Sequence, residues 1–260
     1  MDGATSQRLA GAALRAEAAR FRTDNPGVRA RDLAAALGVS EAELVASGCG
    51  NGVTRLDGDW GEVLRALNDL GEVMALTRNE HCVHEKHGVY DKVSIGPGHG
   101  LVLNHDIDLR LFLSHWRFAF AVSEEVKSGL RHSLQFFDID GTAVHKVYVT
   151  GKSDKAAYDA LVERFRAADQ SPELTVTPLP PRRPDRPDGD IDIGNFHQHW
   201  RALQDTHDFF GMLSEFGVGR AQAMRLAEDE FAAPAPADTL RRMLTMAAER
   251  AVPIMCFVGN

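Results

Sequence analysis

Two stretches of the 260-residue chain combine residue types at spacings that allow chemistry. In QDTHDFFGMLSEFGVGR (204–220), His207, Phe210, Gly211 and Ser214 fall on one helical face at i, i+3, i+4 and i+7. A neutral imidazole is the commonest metal ligand, and a glycine one turn away lets a flat group approach the backbone. That combination reads as an axial histidine to haem iron with phenylalanines against the macrocycle; the plain alternative is a histidine bonded to Asp205 or Asp208. In DIDLRLFLSHW (106–116), strict alternation sends Leu109, Leu111 and Leu113 one way and Asp108, Arg110 and Phe112 the other. An arginine beside an aromatic suits an anionic or planar apolar ligand; the alternative is a solvated outer face with one surface phenylalanine.

The remaining histidines offer less. His197 and His199 point about 200° apart on a helix, so they do not share an ion. His81, His84 and His87 look zinc-like in NEHCVHEKHGVYD but do not converge in a strand-and-turn context. No G-x-S-x-G, P-loop or G-x-G-x-x-G is present, and GPGHG (96–100) reads as a hairpin turn. RDLAAALGVSEAELVAS (31–47) has the length of a helix-turn-helix, but its second helix carries two glutamates and no base-reading side chain, which makes DNA a poor partner.

The elements that position these residues follow from the pattern. Helices are expected over 5–22 and 29–47, the latter introduced by Pro26 and broken at Gly38-Val39-Ser40, where Ser40 caps EAELVAS, and over 61–70. Between about 73 and 149, VMALTR, VYDKVSI, GLVLN, IDLRLFL, HWRFAFAV, HSLQFFDI and AVHKVYV predict some seven strands in a continuous antiparallel sheet, with no helix within 105–122. A helix over 154–168 closes this first domain, residues 1–170. Six of the eleven prolines lie between Pro172 and Pro187, marking a linker over 171–189. Residues 190–260 then read as helices at 192–216, 219–230 and 237–250 and one strand-like run, VPIMCFV. The class is α+β: an antiparallel meander sheet with flanking helices, followed by the helical start of a second structural repeat.

Composition bounds the function. With 44% hydrophobic and 25% charged residues the chain is neither disordered nor fibrous, and a formal charge of -8 argues against general affinity for phosphate backbones. Cys49, Cys82 and Cys256 are an odd number without metal-type spacing, which points to a reducing, cytoplasmic compartment. The first twenty residues lack a secretory apolar core and no later run approaches a membrane span, so membrane insertion is not expected.

An internal repeat is also visible. DLAAALGVSEAELVAS (32–47) resembles GMLSEFGVGRAQAMRLA (211–227), and NDLGEVMALTRN ending at Asn79 resembles AAERAVPIMCFVGN ending at Asn260, both at a period of about 180 residues. Sheet follows Asn79 and nothing follows Asn260, so the second copy reads as unfinished. VPIMCFV would then be the first strand of a second sheet, with Ile254, Cys256 and Val258 on one face and Met255 and Phe257 on the other. Such a strand needs a partner, so the expectation is self-association.

The runs LGEVMALTRNEHCVHEKHGVYD, GLVLNHDIDLRLFLSHWRFAFAV, WRALQDTHDFFGMLSEFGV and VPIMCFVGN, in this order over nearly the whole chain, resemble the HemS/ChuS family of bacterial cytoplasmic haem-binding proteins, the haemin-degrading factors. The resemblance implies two similar halves, each a sheet with flanking helices, and one haem in the cleft between them. It implies His207 as proximal ligand, Arg110 and Phe112 on the distal side, and Arg220 and Phe257 in the pocket. It further implies that members continue some eighty residues past this strand. Three readings follow: an enzyme opening the haem ring with dioxygen and an external reductant, a carrier passing haem from an importer to a separate haem oxygenase, or a fragment that does not hold haem.

Overall fold

The computed structural model describes residues 9–181, 184–255 and 259. It forms two compact units, one running to residue 179 and one beginning at residue 180.

The first unit opens with helices α1 (Gly11–Asp24), α2 (Ala30–Ala36) and α3 (Glu41–Ala46). Leu14, Ala18, Leu33, Ala34, Val39 and Leu44 pack them together. Ser40 starts α3 as expected: its hydroxyl accepts from the Glu43 N–H at 3.2 Å, and the Glu43 carboxylate accepts from the Ser40 N–H at 2.8 Å. A further N-terminal donor, the Ala42 N–H, reaches the Gly141 carbonyl at 3.0 Å. Gly141 has φ +82°, and a Cβ there would lie 2.3 Å from the Ser40 hydroxyl, so only glycine fits.

Nine strands follow: β1 (Val53–Leu56), β2 (Gly71–Arg78), β3 (Val83–Gly88), β4 (Val93–Gly96), β5 (His99–Leu103), β6 (Asp108–Leu111), β7 (Phe118–Val126), β8 (Gly129–Phe137) and β9 (Ala143–Ser153). All pairings are antiparallel, which matches the expected class. The expected single sheet is instead two: six strands ordered β1-β7-β8-β9-β2-β3, and three ordered β4-β5-β6. Strand β1 lies before the expected sheet region. VYDKVSI is strand only from Val93, because Lys92 takes φ 52° and the Asn104 amide binds the Val89 carbonyl at 2.9 Å, turning the chain. A 3₁₀ turn at Leu113–His115 stands where no helix was expected. It begins after the alternating residues, so Leu109 and Leu111 are buried while Asp108, Arg110 and Phe112 are exposed.

Helix α4 (Trp60–Ala66), the 3₁₀ turn Leu67–Leu70 and α5 (Lys155–Arg164) complete the unit, with Asp59 and Asp154 as side-chain caps. Leu64, Leu67 and Leu161 pack with Leu109, Leu111, Leu134 and Phe136 on one face of the large sheet, and Ala42 and Ala46 of α3 cover Phe120, Val122 and Phe137 on the other. This covering bears on the helix-turn-helix reading, since its would-be recognition helix is spent on the sheet.

In the second unit, α6 (Ile193–Ala202), α7 (Phe209–Phe216) and α8 (Arg220–Leu226) bury Phe196, Met212, Leu213, Val218 and Ala223. The helix expected over 192–216 is interrupted. Leu203 is extended, with ψ 130°, and Asp205 caps a 3₁₀ turn at Thr206–Asp208. Gly217, at φ 63°, ends α7 in a left-handed cap, with the Val218 N–H on the Leu213 carbonyl. Helix α9 (Thr239–Glu249) buries no residue. Residues 252–255 are exposed and form no strand; Cys256, Phe257 and Val258 lie outside the described residues. Among the described residues, no helix is long and apolar enough to cross a membrane.

Two stability predictions follow. Ser40→Ala removes half of the capping box and lowers unfolding free energy by about 1 kcal/mol in urea titrations, with unchanged m-value. Buried His145 is held neutral: the Tyr90 hydroxyl is 2.6 Å from Nε2 and the Thr77 hydroxyl 3.2 Å from Nδ1. Burial, with a smaller repulsion from His84, pushes its pKa down to about 4. Above the ordinary histidine pKa both folded and unfolded chains are neutral there. As pH falls towards 4 only the unfolded chain takes the proton, and stability drops by roughly 3 kcal/mol. Urea midpoints measured between pH 7 and 4.5 are expected to fall in the wild type and to show a shallower slope in His145→Gln.

Candidate functional site

His207 sits on the 3₁₀ turn that the Asp205 side chain organises. One oxygen, Asp205 Oδ1, accepts from the His207 backbone N–H at 2.8 Å and lies 2.6 Å from its Nδ1. These two bonds hold the Asp205 carboxyl below the usual carboxylate range. With the proton placed on Nδ1 by this bond, Nε2 is left with its lone pair outward, and the side chain is 91% exposed. The Asp205 bond therefore belongs to both sequence readings: it is the plain carboxylate contact and also the partner that orients a ligating imidazole.

His207 borders an open groove of about 490 Å³ between the end of α6 and the first turns of α7. Ala202, Leu203, Gly211 and Met212 provide its apolar surface, and Asp208, Glu215 and His199 its other polar groups. A Cβ at Gly211 would meet nothing within 4 Å, so the missing side chain leaves open space beside the helix rather than serving internal packing. The expected shared face holds only in part. Gly211 joins His207, whereas Phe210 and Ser214 are not in the groove; Phe210 is 60% exposed with the Arg220 guanidinium 5.9 Å from its ring centroid.

His197 and His199 diverge as the helical geometry requires. His197 Nε2 lies 2.6 Å from the Leu226 carbonyl, a structural bond, while His199 lines the groove. Sequence reasoning missed His199 as a groove residue. Its spacing of three and four from Ala202 and Leu203 is the available signal once the helix is known to end at Ala202.

In the first unit, Arg110 leaves the exposed face of β6 and pairs with Asp108, and Phe112, 64% exposed, follows at the strand end. Both are surface groups whose direction is set by the burial of Leu109 and Leu111. Phe257 lies outside the described residues. His84 and His87 are spaced along β3, GPGHG turns β4 into β5, and among the described residues no cluster of three histidine, cysteine or acidic side chains is built to hold a metal ion.

Comparison with known proteins gives this geometry a family. Residues 38–165 match the haemin-degrading HemS.ChuX domain. The hemin transport protein HmuS of Yersinia pestis is 40% identical over 250 residues, spanning 96% of this chain and 72% of the relative. Holo-PhuS, a heme-binding protein from Pseudomonas aeruginosa, superposes with a TM-score of 0.91 at 45% identity, covering 95% of this chain and 72% of that one. The Escherichia coli O157:H7 heme degrading enzyme ChuS superposes at 0.83 with 36% identity, again over 95% and 72%. By sequence and by fold together, the chain belongs to the haemin-degrading HemS family.

Proposed function

We propose that this chain binds haem as a cytoplasmic haem-handling protein, with His207 as the axial iron ligand. The observation that carries the reading is the Asp205–His207 pair beside the open side of Gly211. A carboxylate on one imidazole nitrogen fixes the tautomer and raises the basicity of the other, which is how histidines that ligate metals are prepared. The donor set fits an iron porphyrin better than a bare metal ion, since one imidazole next to an apolar floor supplies one axial bond and a flat contact surface. Arg110 and Phe112 are assigned to the distal side, Arg220 and Phe257 to the pocket wall. Arg110 brings a permanently charged donor fork, and Phe112 an exposed ring for stacking.

The names of the relatives support both of the fates that the bound group meets, transport and degradation. Transport to an acceptor, from an importer to a separate haem oxygenase, requires of this chain only that it bind and release. Degradation has one further observation in its favour, the outward arginine of β6. In that reading haem supplies the iron that activates dioxygen, and this chain's Arg110 donates hydrogen bonds to water or dioxygen admitted to the site while an external reductant supplies electrons.

Haemin added to the full chain is expected to give the Soret band of an imidazole-ligated ferric haem. His207→Ala abolishes that signature, and Asp205→Ala weakens binding by about tenfold or more through loss of imidazole orientation. A wild-type chain without such a band, or a His207→Ala variant that keeps it unchanged, refutes the assignment. Incubation with ascorbate in the presence of catalase separates the two fates: biliverdin-type product or carbon monoxide that is lost in Arg110→Ala marks an enzyme, and haem recovered intact marks a carrier.

A further inference from the structure

His199 occupies the far part of the groove that begins at His207, and its surroundings suit a different task from ligation. It leaves α6 beside Glu215 of α7, with its Nδ1 3.8 Å from Glu215 Oε1, beyond hydrogen-bond reach, and its ring edge-on to Phe216 at 5.1 Å. The Phe216 contact holds the ring in place, while 42% of the side chain stays exposed. Among the described residues it makes no hydrogen bond, so its nitrogens are available to a partner in the groove.

The spacing gives that partner a shape. Glu215 is eight residues past His207, roughly 12 Å along the helix direction at ~1.5 Å per residue. Between these ends lie Gly211, Ala202 and Leu203, a low apolar strip. An imidazole prepared for iron at one end, a flat floor, and an imidazole donor about one porphyrin radius plus side arm away match a tetrapyrrole bearing carboxylate arms. Asp208 and Glu215 line the same groove and would repel such an arm, so a donor capable of carrying positive charge is what makes the far end acceptable to an anion.

Resting on the proposed haem reading, we infer that His199 is a specificity residue: it donates a hydrogen bond to a carboxylate arm of the bound porphyrin and makes the groove prefer the free acid over the ester. The test titrates the full chain with iron protoporphyrin, its dimethyl ester and metal-free protoporphyrin in one dilute detergent, following the Soret band and tryptophan fluorescence. The wild type is expected to bind the free acids more tightly than the ester. His199→Ala loses roughly three- to fivefold in affinity for both free acids and nothing for the ester, as a half-exposed charge-assisted contact allows. His199→Arg restores the preference, and circular dichroism reports an unchanged fold for both variants.

Equal weakening of acid and ester in His199→Ala would mean that the ring only packs on Phe216, and an unchanged preference would mean that it touches nothing; either result overturns the inference while leaving His207 ligation standing. So does iron–imidazole ligation that survives His207→Ala and disappears in the double variant, because His199 would then be a ligand. A wild-type chain that binds none of the three porphyrins overturns both this inference and the haem reading.

Discussion

Strand β7 is buried on both faces, and most of the first unit is a consequence of that constraint. Ala119 and Ala121 enter the core shared with α4 and α5, while Phe120 and Val122 enter the one covered by α3. A strand with two apolar faces cannot stop at one layer; helices must cover both sides and partners must satisfy both edges, which β1 and β8 do. The start of β7 is pinned equally firmly. Trp116 stacks on Phe136 with centroids 4.3 Å apart, and the Arg117 N–H reaches the Phe137 carbonyl at 2.7 Å. The 3₁₀ turn that precedes this anchor brings the chain in from β6, so the register of a core strand sets where Arg110 and Phe112 emerge.

The polar groups inside this unit are there under the same pressure. His145 lies among Tyr90, Trp116 and Phe136, where a charged imidazole would be uncompensated, and it remains acceptable only because both ring nitrogens have hydroxyl partners. Burial correspondingly raises the Tyr90 phenol far above its ordinary range. Lys146 and Glu41 form a nearly buried ion pair between β9 and α3. Such a pair contributes little net stability after desolvation, but breaking it strands a charge, so its effect is to hold α3 in one place on the sheet.

The second unit works by local means. Asp205 competes with the helix for its own neighbouring N–H groups, as short acidic side chains do, and so ends the helical run that the apolar spacing alone would continue. The same competition puts His207 on a turn instead of a helix interior, with its outer nitrogen exposed. Phe210 and Ser214, assigned to the His207 face by an unbroken 3.6-residue period, move off it because the 3₁₀ turn changes the phase between residues 207 and 210.

Alternation and capping were legible in the chain itself. The periods of two in DLRL and of Ser-x-x-Glu at residues 40–43 depend only on neighbours a few residues away, so the outward direction of Arg110, the capping box of α3 and the left-handed Gly217 stop could be read before any fold was known. The tertiary structure decided what depends on distant partners. Which strands join which sheet, the insertion of β1 beside β7, and the neutral state of His145 rest on contacts between residues tens of positions apart, and no short window contains them. His199 belongs to that second class: its type was visible, but its place in the groove needed α7 to fold back against α6, since a side chain acquires a role from what the packed chain sets opposite it.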